Sequence, residues 1–219
     1  MTDDAPSAPE QENTDPKSDP KRTVRNKDEE MFLTSGVHIG TQQKSKDMVP
    51  YIFKVRNDGL YVLDVKKSVD RVRTAASMLA RYDPDDILMV STRQYGQRPV
   101  ELAAKMMGAR CFAGRFVPGT LTNPRLPLYI EPKIIVLTDP LTDVQAMKEA
   151  VSVGITVVSL CDANNETRFV DLVVPANNKG RRSLATVYWH LTKDYMVASG
   201  KIEKEEEFQL SVEDFEARI

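Results

Sequence analysis

Five short apolar runs alternating with amphipathic helical patterns constrain this chain more than any other feature. Ile87-Leu88-Met89-Val90, Arg110-Cys111-Phe112-Ala113, Lys133 to Thr138, Thr156 to Leu160 and Leu172-Val173-Val174 have the length and residue types of strands. Between them, apolar residues recur at helical spacing. Val69, Val72, Ala76 and Leu79 do so until Asp83-Pro84 stops them. Pro99 is expected to open the next helix, with Val100, Ala103, Ala104 and Met107 on one face and Gly108 at its end. Thr142 with Gln145 reads as a capping box for Val144, Met147 and Val151, closed by Gly154. Ser183 reads as the cap of a last helix with Leu184, Val187, Tyr188, Leu191, Tyr195 and Ala198 on one side. Strands this apolar must be covered on both faces, so the alternation predicts a three-layer α/β/α body with a five-stranded parallel sheet. Right-handed crossovers make it doubly wound, and the flavodoxin-like strand order is expected.

The first third of the chain differs. Residues 1–26 are acidic, carry four prolines and have Val24 as their one large aliphatic residue after Met1, so disorder is expected. Asn26 with Glu29 suggests the cap of a short helix through Met31, Phe32 and Leu33 that Gly36 ends. Tyr51 to Val55 and Leu60 to Val65 read as a β-hairpin around Arg56-Asn57-Asp58-Gly59, whose Asn, Asp and Gly suit a tight turn. The division is therefore 1–26 as an extension, 27–200 as a single α/β domain and 201–219 as an acidic tail. In that tail Phe208, Val212, Phe215 and Ile219 fit one helical face, whereas Phe208, Leu210 and Val212 alternate as in a strand. Either pattern suits docking on a neighbour; the competing reading is a solvated tail.

The formal charge of −2 conceals a partition. Residues 1–30 and 201–219 each carry −4, and the 170 residues between them carry +6. The acidic ends are expected to face solvent or basic neighbouring proteins, because a phosphate surface repels them. No uncharged apolar run approaches the roughly 18 residues that would span a bilayer. Cys111 and Cys161 are too few for a disulfide framework or a four-ligand zinc site, so a cytoplasmic location is expected.

The scaffold is one that enzymes use, but the chemistry is sparse. There is no GxGxxG after a strand, and Gly114 to Leu121 has two glycines spaced like a P-loop but lacks its Lys and hydroxyl pair. No GxSxG elbow is present, and His38 and His190 have no obvious catalytic partner. Cys161 reads as a small buried hydrophobe. Asp139 and Asp162 follow apolar strands, where open α/β sheets place their sites. Together they keep a Mg²⁺-dependent enzyme open as the alternative, against a turn and a loop residue.

The loops are cationic and rich in amides. Lys44 and Lys46 precede the hairpin, Arg56 lies at its turn, and Arg93, Gln94 and Arg98 link the first parallel strand to its helix. Arg115, Asn123 and Arg125 lie in the long loop from Gly114 to Pro132. Asn177, Asn178, Lys179, Arg181 and Arg182 link the last strand to the last helix. Four such loops favour a polyanion, and the absence of a groove-reading helix motif favours structured RNA over duplex DNA.

Five stretches carry a resemblance. They are Phe32 to Gly40, Tyr51 to Gly59, Gly114 to Asn123, Asp139 to Ala150, and Leu160-Cys161-Asp162 together with Pro175 to Arg181. In these the chain, over roughly residues 28–200, resembles the second-numbered protein family of the small ribosomal subunit. The resemblance implies a non-catalytic structural protein of that subunit, bound to its ribosomal RNA and to neighbouring ribosomal proteins. It implies no cofactor, membrane or small-molecule substrate. Only eight residues separate Asn123 from Pro132, so the coiled coil that the bacterial branch inserts there is missing. That gap, the Asn-Asn-Lys-Gly-Arg-Arg run and the acidic extensions look archaeal, with the eukaryotic branch second.

Overall fold

A computed structural model describes residues 20–203 and 205–218. The expected disorder of residues 1–26 thus lies, for 1–19, outside the described residues. From Pro20 the chain is already helical: α1 is Pro20–Thr34, so Asn26 is an interior residue and not the cap. The hairpin forms as expected, with β1 (Ile52–Val55) antiparallel to β2 (Tyr61–Leu63). Its second strand ends sooner than the sequence suggests, because the Asp64 side chain accepts from the Lys66 N–H and caps α2 (Val65–Leu79).

The body then alternates through β3 (Ile87–Ser91), α3 (Gln94–Met107), β4 (Arg110–Ala113), β5 (Ile134–Leu137), α4 (Val144–Val153), β6 (Thr156–Cys161), β7 (Leu172–Pro175) and α5 (Arg181–Ala198). The five later strands are parallel in the order β4-β3-β5-β6-β7, the flavodoxin-like order. No described helix is long and apolar enough to cross a membrane.

The strand period of two separates the cores. Ile87, Met89, Ile134, Val136, Val158 and Leu160 pack with α2, α3 and α5. Leu88, Val90, Ile135, Leu137 and Val157 face the other way, onto α4 and onto Phe116 and Leu121 of the long loop. Met48 and Leu63 close that second face over Cys161 and Val173. One face therefore carries α2, α3 and α5, with Phe32 of α1 and the C-terminal Phe215 in the same core, while the other carries α4, a loop and the hairpin. The β4–β5 and β6–β7 crossovers contain no helix.

Three helix starts depart from their sequence signals. Pro99 lies inside α3, which begins five residues earlier, and Arg93 is its N-cap. Asp143 precedes α4 without a side-chain cap bond, and the Thr142 hydroxyl donates to Asp139 instead. Gly180 precedes α5, and Ser183 donates to the Asn177 carbonyl from within the helix. The C-terminal residues form a one-turn α6 (Val212–Phe215) with a Ser211–Asp214 capping box, and Phe215 is fully buried against the main core.

Candidate nucleic-acid interface

Parallel strands deliver all their following loops to one end of the sheet. At the end of β3, Gly96 makes the geometry possible, since a Cβ there would overlap Ser91 Oγ and press on Thr138 at 3.0 Å. With glycine, α3 starts against the strand ends and Arg93 reaches Asp139, which is 0% exposed. Arg93 Nε donates to Asp139 Oδ2 at 2.7 Å and its Nη2 to the same oxygen. Thr142 Oγ1 donates to that oxygen as well (2.7 Å), while Leu141 N and Asn165 Nδ2 donate to Oδ1 at 3.0 and 2.9 Å. Burial alone would raise this carboxyl, but the Thr142 bond and Arg93 hold it below the usual carboxylate range.

A second buried carboxylate lies past β6. Asp162 Oδ2 accepts from Lys179 Nζ at 2.7 Å, and the same ammonium donates to Asn164 Oδ1 at 2.8 Å. Burial pushes the Asp162 carboxyl up against the pull of Lys179. Asn165 joins the two acids: its Oδ1 accepts from Asp162 N (2.7 Å) and from Asn178 Nδ2 (3.0 Å). Asn177 Oδ1 accepts from the N–H groups of Lys179 and Gly180 at 3.0 and 3.1 Å and so shapes the turn into α5. Both oxygens of Asp139 are thus committed to protein donors and Asp162 to Lys179, and among the described residues no group of three or more His, Cys, Asp or Glu is placed to hold a metal. Cys161 is buried, with its thiol pushed up to about 12 by burial, as suits a packed residue and not a nucleophile.

The fourteen candidate residues therefore divide. Arg93, Lys179 and Arg181 are half-buried and paired with Asp139, Asp162 and Glu216 respectively. Asn177 and the Asn178 Nδ2 are spent on backbone and side-chain partners, while the Asn178 Oδ1 is buried without a partner among the described residues. Lys44, Lys46, Arg56, Gln94, Arg98, Arg115, Asn123, Arg125 and Arg182 are exposed. Lys44 lies 5.2 Å from the Tyr61 ring centre, Arg56 meets Asp58 at 3.4 Å, and Asn123 Oδ1 accepts from Arg125 N at 3.1 Å. The segment carrying Lys44 and Lys46 reaches the same end of the sheet: Ser45 N donates to the Ala163 carbonyl at 2.8 Å, and Asp47 accepts from Thr167 N at 3.1 Å. Arg98 and Arg115 follow β3 and β4, and Arg182 follows β7. Arg56 and Arg125 sit farther out, on the hairpin turn and in the long loop.

Two structural partners escaped the sequence reading. Glu149 of α4 is 6% exposed and accepts from Gly119 N (2.8 Å), Leu121 N (3.1 Å), Thr122 Oγ1 and Gln145 Nε2, which pins the long loop to the helix. Glu216 meets Arg181 at 3.4 Å. For Glu149 the apolar pattern misleads: the side of α4 marked by Val144, Met147 and Val151 leaves Val144 and Val151 each 39% exposed, and the helix buries Ala146, Glu149 and Ala150 instead. For Glu216 the signal is the Ser211-x-x-Asp214 pattern, which marks a helix start just before Phe215.

Comparison with known proteins agrees with this architecture. A family model described as ribosomal protein S2 matches residues 32–126 and 127–197. Small ribosomal subunit protein uS2 of Thermoplasma volcanium is 59% identical over 191 residues, 87% of this chain and 96% of the relative. The proteins of the same name from Thermoplasma acidophilum and Picrophilus torridus are 58% and 56% identical over the same span.

Proposed function

The chain belongs to the ribosomal protein S2 family, in its archaeal type, and on that premise we propose that it docks on small-subunit ribosomal RNA through the carboxyl end of its sheet. It is a structural component of the small ribosomal subunit in the cytoplasm and not an enzyme. One observation carries the docking proposal. At the carboxyl end of the sheet the acids Asp139, Asp143 and Asp162 are buried and engaged, while Lys44, Lys46, Arg98, Arg115 and Arg182 face outward. Asp47 and Glu166 are exposed there too, but the three acids at the strand ends are withdrawn and the outward cations outnumber the exposed acids, which suits phosphate. Arg56 and Arg125 extend it along the hairpin and the long loop. Gln94 and Asn123 offer amides to ribose hydroxyls. Arg93, Lys179, Arg181, Asn177 and Asn178 hold the loops in place. Neighbouring ribosomal proteins complete the setting, against the faces that the RNA leaves free.

The arginine pair at the start of α5 tests this. Arg182→Glu is expected to reduce incorporation into small subunits, with an unchanged urea midpoint, because the side chain is exposed. Arg182 is one phosphate contact, so each such loss should also lower the slope of log affinity against log salt by about 0.9. Arg181→Glu is expected to lower the urea midpoint as well, by repelling Glu216. Wild-type incorporation of Arg182→Glu would remove that contact from the docking surface.

A further inference from the structure

Beside this surface lies a cleft of about 380 Å³ between the first two turns of α3 and the C-terminal residues Ala217 and Arg218. Resting on the RNA-docking reading, we propose that this cleft receives one unpaired nucleotide of RNA. Tyr95 stacks on the base, and Arg98 and Arg218 hold its phosphates.

Four features of the cleft carry the assignment. Tyr95 is 41% exposed, on a helix whose other large apolar groups are turned inward. A lone exposed aromatic is ordinary on a protein surface. This one lines a concavity whose walls also hold two arginines. Arg98 and Arg218 are both exposed, and among the described residues neither makes a salt bridge; Arg93, five residues before Arg98, is spent on Asp139. The amides are placed to read an edge: Gln94 is exposed, and Gln97 directs its Nε2 to the Thr92 carbonyl at 3.5 Å, leaving its Oε1 free to accept. Two acids bound the field. Asp214 is exposed and lies in the field of both arginines; its Oδ2 accepts from the Ser211 N–H and hydroxyl, each at 2.9 Å, and its negative charge confines phosphate to the side of the arginines away from it. Glu101 lines the cleft too, repels phosphate, and so assigns its own side to the base.

Duplex RNA keeps its bases stacked inside and offers such a cleft only backbone, whereas an extruded nucleotide presents a flat face to an aromatic ring. The volume is near the lower end of ligand pockets, about 300–1,000 Å³, which suits one nucleotide and not a stack. The acidic C-terminal stretch thus supplies one cation to the RNA surface.

The test uses the full chain with three probes: a mixed-sequence single-stranded RNA hexamer, a blunt RNA duplex of the same sequence, and intact small-subunit ribosomal RNA. The hexamer is expected to bind more tightly than the duplex. Tyr95→Leu should weaken hexamer binding about five- to hundredfold, while Tyr95→Phe, which keeps the ring, should restore it. Arg218→Gln should reduce the salt slope by about 0.7. Equal binding of hexamer and duplex, or an unaltered Tyr95→Leu, with ribosomal RNA still bound, would overturn the nucleotide cleft and leave RNA docking intact. Failure of the wild-type chain to bind ribosomal RNA would overturn both.

Discussion

His190 is 2% exposed and its Nε2 has no hydrogen-bond partner among the described residues. The rings of Phe32 and Trp189 meet it edge-on at 4.9 and 4.8 Å, and its Nδ1 lies 4.0 Å from Asp28. Burial, followed by the charges of Lys193 and Arg73, pulls its pKa down to about 3. Asp194 lies in the same field. Burial pushes it up to about 6 against Lys193 and Arg73, with Glu205 and Asp28 adding to the rise. The two groups have opposite consequences for stability. Below about pH 6.5 the unfolded chain protonates His190 and the folded chain does not, which costs about 1.4 kcal/mol per pH unit. Below about 6 the folded chain protonates Asp194 before the unfolded one does, which returns a similar slope until the ordinary Asp value is reached. Between pH 6 and 4 the pair should therefore nearly cancel. Asp194→Asn is expected to lose stability steadily, relative to wild type, as pH falls through that window. His190→Phe is expected to gain it. Denaturant midpoints taken at half-unit intervals decide this, and parallel curves for all three proteins would refute the pairing.

At the scale of elements, the long loop owes its shape to a helix it does not adjoin in sequence. Glu149 gathers two loop N–H groups and a hydroxyl, and these bonds hold its carboxyl below the ordinary range even though burial opposes them. Glu149→Gln keeps the size of the side chain but turns an amide N–H toward donors, at a cost of about 1–3 kcal/mol. Limited proteolysis should then cut between Gly114 and Pro132 faster than in wild type, while the helical circular dichroism stays the same. An unchanged cutting rate would mean that Phe116 and Leu121, packed beneath the loop, suffice to hold it.

For the molecule as a whole, the charge partition stands, and the described part of the acidic C-terminal stretch is tied to the body at several points. Among the described residues after Lys201 many side chains stay exposed, but the segment is not free of the body. Its described residues fold back on their own domain. Trp189 Nε1 donates to the Leu210 carbonyl at 2.6 Å, Lys193 meets Glu205 at 2.8 Å, and Phe215 enters the main core with 0% exposure. Glu205 and Glu216, two of the acids expected to face solvent or a basic partner, thus answer Lys193 and Arg181 of the same chain. Phe215→Ala should cost about 3–5 kcal/mol in global stability, read as a shifted but still single urea transition. A change under about 1 kcal/mol, within reach of ordinary surface substitutions, would mean that the tail contributes little to the core.

The sequence by itself determined the strands, the helices between them and the hairpin; the sheet order was an expectation that the tertiary structure bears out. Apolar period and crossover handedness act locally or by general rule, so Ile87 to Val90 or Leu172 to Val174 announce themselves without reference to distant residues. It also displayed the stretches that carry the family resemblance. Helix starts were less legible. Asn26, Pro99, Thr142 and Ser183 are all good local caps or openers, and in each case the helix begins at another residue. The division of the basic loops was decided only by tertiary structure. Arg93 and Arg98 look alike along the chain, yet one is bound to Asp139, 46 residues away, and the other faces outward. Arg181 and Arg182 are adjacent, yet Glu216 engages the first. Whether a cation serves the fold or the partner depends on which carboxylate the fold brings within reach, and that is a long-range property no local pattern encodes.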